Sequence, residues 1–476
     1  MNMKRIFLFI GIALFLNSCT MIPKYTRPEA PVPSTLPSGG LYGDTPLIQG
    51  ALPVADIKWQ DAFPDEKLQK IIKMALVNNR DLKLAMLNVK QARALYGVQE
   101  AQLFPVINVT GGEVKKHLPA DLSGTGKEAT SDQYNVDLGI TSWEIDFFGR
   151  IRSLEEQALQ EYLSTEQAQR GVQTTLIGEV ARIYFILAAD YENFKLALAT
   201  LDAQQSIYDM IKLRYDNGIA TEMDLQRAQA QVDAAQGDIA RYKQLTMQNL
   251  NVLNFLAGAS VPDDLVPESQ AGVKPPKDIS AGLSSDVLLR RPDIMEAEHQ
   301  LKSANAFIGA ARAAFFPQIS LTTAIGTAST EFSNLFTSAS KTWNFSPKAT
   351  MPIFDARTWA AYKVSKSMQE IAVTQYEKTI QTAFREVADA LAVRATVDQQ
   401  ISAQASIVNS AEKVYELSNE RYTQGIDGYL SVLDAQRTLY AAQQGLTALR
   451  LSKQANQMRF YTVLGGDTEL LDVGSP

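Results

Sequence analysis

The chain switches between two hydrophobic periods. From Leu225 onward apolar residues recur in steps of three and four, at Ala228, Val232, Ala235, Ile239 and Tyr242, and the same steps return at Val432, Ala435, Leu439, Ala442, Leu446 and Leu449. This spacing sets one side of a helix against a neighbour as in a coiled-coil seam, where alanines let the axes approach closely. An amphipathic helix on a globular core gives the same spacing. No proline occurs between Pro119 and Pro262 or between Pro352 and Pro476, and an interior proline costs a helix about 3 kcal/mol. A single helix from 149 to about 214 would therefore be possible, and at about 1.5 Å per residue it would reach on the order of 100 Å. Only Asp216-Asn217-Gly218 and Thr423-Gln424-Gly425 separate successive helical stretches. Two helical hairpins follow, with glycine at the C-cap and Thr221 or Gly428 near the next start.

Between Pro105 and Gly149 the period falls to two. Tyr134, Val136, Leu138 and Ile140 alternate with Asn135, Asp137, Gly139 and Thr141, and Ile107 and Val109 alternate with Asn108 and Thr110. Further along, Ile319, Leu321 and Ile325 alternate with Ser320, Thr322 and Gly326, followed by Trp343, Phe345 and Ala349 with Asn344 and Ser346. These are four strands in two hairpins, apolar on one face and small and polar on the other. A membrane barrel with a wet lumen has this pattern, and so does a half-buried soluble sheet.

The chain also repeats itself. Arg214-Tyr215-Asp216-Asn217-Gly218-Ile219 returns 207 residues later as Arg421-Tyr422-Thr423-Gln424-Gly425-Ile426, with Ala228-Gln229, Ala235-Gln236 and Gly258 matching Ala435-Gln436, Ala442-Gln443 and Gly465. At an offset of 212, Asp81, Ala92, Gly97, Ala101, Phe104-Pro105 and Ile107 match Asp293, Ala304, Gly309, Ala313, Phe316-Pro317 and Ile319. The period is too long for a solenoid. The fall in offset means that the first copy holds five extra residues between Ile107 and Arg214, which are expected in a loop.

Composition narrows the class. With 46% hydrophobic residues and no run of membrane-helix length after its start, the chain is expected to enter a membrane only through strands. Lys4-Arg5, the apolar run Ile6 to Leu16 and Leu16-Asn17-Ser18-Cys19 form a short export signal ending in a lipobox-like site. Cys19 is the single cysteine, so no internal disulfide can form and lipid attachment explains its position; an ordinary signal with an incidental cysteine is the other reading. Removing 1–18 takes the net charge from −7 to −9, because Lys4 and Arg5 leave with it. That acidic balance argues against nucleic acid. His117 and His299 are the only histidines, so no Cys/His zinc site is expected. Phosphate loops and nucleophile elbows are absent, and no cofactor or catalytic residue is expected. The resulting organisation is a signal peptide at 1–18, a Pro-rich lipidated tether at 19–64 with eight prolines between Pro23 and Pro64, a first repeat at 65–262 with a strand hairpin at about 106–147, a linker at 263–282, a second repeat at 283–466 with a strand hairpin at about 318–354, and a tail at 467–476.

Four strands cannot close a barrel, and an open sheet in lipid leaves edge N–H and C=O groups without partners. Assembly from several chains is required. At this point the sequence resembles the outer-membrane factor family of TolC and OprM. The residues that carry the resemblance run from Trp59 to Leu68, then Phe104-Pro105, Ser142-Trp143-Glu144-Ile145-Asp146-Phe147-Phe148-Gly149-Arg150, Arg290-Arg291-Pro292-Asp293, Pro352-Ile353-Phe354-Asp355 and both Arg-Tyr-x-x-Gly segments. The lipobox and tether look more like OprM than TolC.

The resemblance implies a mixed, mainly α fold in which a duplicated unit forms long coiled-coil helices. Four strands per chain would complete a twelve-stranded transmembrane β-barrel in a homotrimer. It implies an outer-membrane efflux channel, not an enzyme, working with a periplasmic adaptor and an inner-membrane transporter of the RND type and held in outer-membrane lipid. By position, Gly218, Ile219, Ala220, Gly425, Ile426 and Asp427 match adaptor contacts, Leu430 and Asp434 match two constricting rings, and Asp224 and Tyr422 match a latch between inner and outer helices. Leu430 read without the resemblance is a buried seam residue, and Asp434 a solvated carboxylate. Asp427 stands where TolC has an arginine, and Ser431 replaces one of two stacked acidic residues. Two other readings compete: a lipid-anchored periplasmic coiled-coil adaptor without a pore, and a periplasmic enzyme on a helical rod. The duplicated two-faced strand hairpins disfavour the first, and the lack of an acid–base or nucleophile constellation disfavours the second.

Overall fold

The computed structural model describes residues 20–42, 58–279 and 284–466. The signal, Cys19, part of the tether, 280–283 of the linker region and the tail lie outside the described residues. Helices dominate: α1 (Trp59–Ala62), α2 (Glu66–Asn78), α3 (Arg80–Glu100), α4 (Arg150–Asp216), α5 (Glu222–Ala257), α6 (Pro292–Ala313), α7 (Ala356–Thr423) and α8 (Tyr429–Val463). The strands are β1 (Ile107–Leu118), β2 (Ala129–Ile145), β3 (Gln318–Ser329) and β4 (Lys341–Thr350). Both proline-free spans hold very long helices, α4 with 67 residues and α7 with 68. The chain forms two compact units, one from the described parts of 1–28, 89–165 and 297–376, the other from those of 29–88, 166–296 and 377–476.

The first unit contains one antiparallel sheet in the order β1-β2-β3-β4. Register resolves its faces. Ile107 and Val109 of β1 stand opposite Ile140 and Leu138, and β2 sets Leu138, Trp143 and Ile145 against Ile325, Leu321 and Ile319. Ile325 and Thr323 in turn face Trp343 and Phe345 of β4. Cross-strand partners share a face, so these residues form one apolar surface. The other carries Asn108, Thr110, Asn135, Asp137, Ser320, Thr322, Asn344 and Ser346. A bulge makes this possible. Ile140 pairs with Thr323 and Trp143 with Leu321, so β2 spends one more residue than β3 there, and Ser142 takes φ 56°. Without that extra residue the switch from even positions (Leu138, Ile140) to odd ones (Trp143, Ile145) would turn Trp143 to the polar face.

The five extra residues of the first copy are not in a loop. The hairpin connections are nearly equal, whereas β2 has 17 residues and β4 has 10, so the surplus extends a strand. Gly139 and Gly326 lie on the polar face, where a Cβ would collide with the backbone of the adjacent strand. Loss of side-chain volume on one face lets a sheet curl toward that face.

Residues 20–28, expected in an extended tether, pack against α6. The Asn305 amide donates to the Pro23 carbonyl at 2.8 Å, and Arg27 pairs with the buried Glu298, which also accepts from Lys302 at 3.0 Å. Burial opposes ionisation of Glu298, but the hydrogen bonds from Arg27 and Lys302 outweigh it and hold the carboxyl below its usual range.

In the second unit Trp59 and Phe63, also assigned to the tether, are buried with Leu68, Ile71, Ile72, Tyr184 and Tyr461. Asp65 caps α2 through the Leu68 amide and accepts from the Tyr184 hydroxyl at 3.2 Å and the Lys274 amide at 3.1 Å. Arg291, from the Arg-Arg-Pro-Asp segment, donates to Asp293, Glu386 and the Val463 carbonyl. It thereby ties the start of α6 to the end of α8. Contrary to the expectation that no apolar run of membrane length follows the start, one 18-residue stretch of α4 is long and apolar enough to cross a membrane; 72% of it is buried inside the protein, as in a core helix.

Candidate functional site

Both Arg-Tyr-x-x-Gly segments end a long helix in the same way. The Gly218 amide donates to the Tyr215 carbonyl and the Ile219 amide to the Arg214 carbonyl at 2.8 Å; the Gly425 amide donates to Tyr422 and the Ile426 amide to Arg421 at 2.9 Å. These are Schellman pairs, in which the residue after the C-cap adopts positive φ. Gly218 has φ 73° and Gly425 φ 75°. The connections are longer than expected, because α4 ends at Asp216 and α5 starts at Glu222, and α7 ends at Thr423 and α8 starts at Tyr429. Thr221 caps α5 by accepting from the Asp224 amide at 3.2 Å, whereas Gly428 at the same place before α8 has no side chain to do so.

The two hairpins pack on one apolar cluster of Ile207, Ile211, Ala228, Tyr422, Tyr429, Val432 and Leu433. Arg214 of the first hairpin lies over the Tyr422 ring of the second, 4.7 Å from its centroid. Its repeat partner, Arg421, instead forms a two-pronged ion pair with Asp427, with one contact of 3.1 Å. Ala220 occupies the position matching Asp427, so Arg214 has no such acid and remains available to the other hairpin. The Arg421 hydrogen bond holds the Asp427 carboxyl below its usual range. Tyr429 is buried, its hydroxyl has no hydrogen-bond partner among the described residues, and burial pushes it up to about 12.

The expected site residues separate into three groups. Gly218, Ile219, Ala220, Gly425, Ile426 and Asp427 all fall in the two turns, with Ile219 75% exposed. Leu430 and Asp434 are one helical turn apart on α8 and both are exposed, so in the single chain Leu430 is not a buried seam residue. Asp434 lines a groove of about 500 Å³ between α7 and α8, with Ser406, Ile407, Ser410, Val414 and Thr438. The latch pair is not joined. Asp224 accepts from the Thr221 hydroxyl at 2.7 Å and approaches Arg227, while Tyr422 packs against Tyr429 with ring centroids 5.8 Å apart. Arg214 and Tyr429 make contacts at this site that the sequence reading missed. The signal was present in the unequal pair Ala220 and Asp427 within otherwise matching turns.

The outer membrane efflux protein family model matches residues 71–259 and again 283–466. The chain is 43% identical over 455 residues to the probable efflux pump outer membrane protein TtgC of Pseudomonas putida, covering 95% of this chain and 94% of that protein. It is similar to a crystal structure of a membrane protein from Pseudomonas aeruginosa, with TM-score 0.89, 36% identity and coverage of 96% and 100%. It is also similar to the open state of the Neisseria gonorrhoeae MtrE outer membrane channel, with TM-score 0.82, 33% identity and coverage of 95% and 100%.

Proposed function

The chain belongs to the outer membrane efflux protein family and is an outer-membrane efflux channel, and we propose that it acts as a homotrimer whose twelve strands close a barrel. The observation that carries this reading is the two-faced sheet with unpaired edges at β1 and β4. From Ile319 to Thr327 the apolar face runs about 26 Å along the strand at about 3.3 Å per residue. At a tilt of about 40° this covers about 20 Å of the membrane normal, close to the apolar band of such barrels. Glu113, Lys115 and Asp132 occupy that face beyond the band, where Lys115 and Asp132 pair at 3.2 Å. In lipid both edges need partners, and β4 of one copy beside β1 of the next supplies them. A lipid on Cys19 would add a second anchor; loss of fatty-acid labelling in Cys19→Ala checks it. The test of the assembly is the mass of the detergent-extracted species. Three chains are expected, and a monomer in detergent would refute the reading.

A periplasmic adaptor would dock on the tip turns, and an inner-membrane transporter of the RND type would deliver the cargo. Exposed Ile219 and Ile426 beside rigid Schellman turns favour such a contact. Valine at Gly218 or Gly425 must hold positive φ, at a cost of roughly 1–2 kcal/mol. Gly218→Val and Gly425→Val are expected to lower adaptor cross-linking and efflux while trimer yield stays unchanged. Normal cross-linking in both would place the adaptor elsewhere.

A further inference from the structure

The first helical hairpin encloses a carboxylate that nothing among the described residues neutralises. Asp190 of α4 is 9% exposed, burial pushes its carboxyl up, and its one partner is the Asn249 amide of α5, which donates at 2.6 Å. Basic residues of the neighbouring turns are engaged elsewhere or exposed. Lys195 pairs with Glu268 at 4.0 Å, Arg241 with Asp238 at 3.0 Å, and Lys243 is exposed. A buried charge without a partner is strongly destabilising.

One helical turn away, two more oxygens are unsatisfied. The α4–α5 pairing brings Ile207 and Ile211 into one apolar cluster with Val232 and Ala228, and the same antiparallel register takes Asp190 to Asn249 and Asn193 to Thr246. Residues three apart share a helix face, so these four side chains form a square across the seam. Thr246 is 8% exposed, and its hydroxyl and Oδ1 of Asn193 are both buried with no hydrogen-bond partner among the described residues.

We propose that this square binds a monovalent alkali cation, held by Asp190, Oδ1 of Asn193 and Oγ1 of Thr246, with water completing its shell. The donors are all oxygen, the ligands that hard cations take. One carboxylate balances one positive charge. A divalent ion would leave an excess charge buried, and no three histidine, cysteine or acidic side chains converge among the described residues to offset it.

The second hairpin provides a comparison within the chain. At the offset of 207, Val397, Gln400, Lys453 and Asn456 take the places of Asp190, Asn193, Thr246 and Asn249. Val397 is buried, and Lys453 pairs with Asp398 at 2.7 Å. The second copy thus closes the same seam with no carboxylate at this place, so pairing of the helices does not itself require one. In the first copy the bound ion cross-links α4 to α5 and steadies the hairpin whose turn exposes Ile219.

The site lies within one chain, so its test is independent of trimerisation. Hydrogen exchange at amides of 186–197 and 242–253 is followed on the detergent-purified full chain in sodium, potassium or choline chloride at equal concentration, choline being too bulky to enter. With sodium or potassium at ten times Kd, exchange through local opening is expected to be about tenfold slower than in choline. The counterpart amides of 393–404 and 449–460 should not respond. Asp190→Asn places an N–H donor where the cation sat and should be equally protected in all three salts. Thr246→Val keeps the shape without the hydroxyl and should raise the half-saturating concentration severalfold. Equal protection of the wild type in every salt means that water alone fills the square and overturns the proposal, as does an alkali effect that survives in Asp190→Asn. Protection by calcium chloride but by neither alkali ion overturns the choice of ion.

Discussion

Deleting Ser142 is expected to leave the assembled channel intact, whereas deleting Asp137, five residues earlier in the same strand, should abolish it. In β2 the bulge between Ile140 and Trp143 absorbs one residue beyond what β3 requires. Without Ser142, Ile140, Thr141 and Trp143 follow in simple alternation, Trp143 still faces Leu321, and every apolar side chain stays on its face. The pairing with β1 begins at Ile140, so that hairpin is untouched. The deletion loses the hydrogen bond from the Ser142 amide to Thr322, but it also removes a non-glycine residue at φ 56°, a conformation that costs roughly 1–2 kcal/mol. Deleting Asp137 has no bulge to absorb it. Tyr134 and Val136 turn toward the polar face while Gln133 and Asn135 turn toward lipid, or else the whole β1–β2 register slips. Amides without partners in hydrocarbon cost several kcal/mol each, enough to exceed the stability of a typical domain when summed. Trimer in outer-membrane fractions, compared at equal expression, decides it. Equal yields from the two deletions would mean that the bulge does not set the faces.

The bulge also shows what the sequence could convey. The apolar positions Leu138, Ile140, Trp143 and Ile145 were visible, but only the pairing with Thr323 and Leu321 shows that they share a face, and the surplus residues were accordingly assigned to a loop. Long helices were legible because proline is excluded from them over spans that few other structures require. The terminal turns were legible from glycine in two copies of one motif, although each connection also takes in the three residues after the glycine, Ile219 to Thr221 and Ile426 to Gly428. The segment containing Trp59 and Phe63 was read as tether because prolines surround it. Burial of two aromatic rings outweighs that local signal. In the single chain Asp224 takes the Thr221 hydroxyl and Tyr422 packs on Tyr429, so the expected latch pair is not in contact there. Arg214 and Arg421 could not be told apart by motif, since what separates them is Ala220 against Asp427.

Leu430→Ala combined with Asp434→Ala is expected to raise single-channel conductance in planar bilayers on the order of twofold or more, and to sensitise cells to large antibiotics. The two side chains lie one turn apart and both face outward from α8. In a closed trimer that brings α8 to the axis, three leucines form an apolar collar, and narrow apolar collars resist wetting. Three carboxylates beside it repel one another. At a separation of about 8 Å each pair contributes about 0.5–2 kcal/mol, depending on how much water remains. The two rings therefore act in different ways. Leu430→Ala alone removes the dewetting barrier and should raise conductance. Asp434→Ala alone removes side-chain bulk but also the repulsion that opposes closure, so its change in conductance should be smaller. Its clearer effect should be a fall in cation preference, read from the reversal potential across a salt gradient, because the acidic ring concentrates cations in the constriction. The double change loses collar and ring together and gives the largest conductance. If it leaves conductance and reversal potential unchanged with normal trimer levels, α8 does not approach the axis at these residues, and the exposed Leu430 would have to face a partner protein instead.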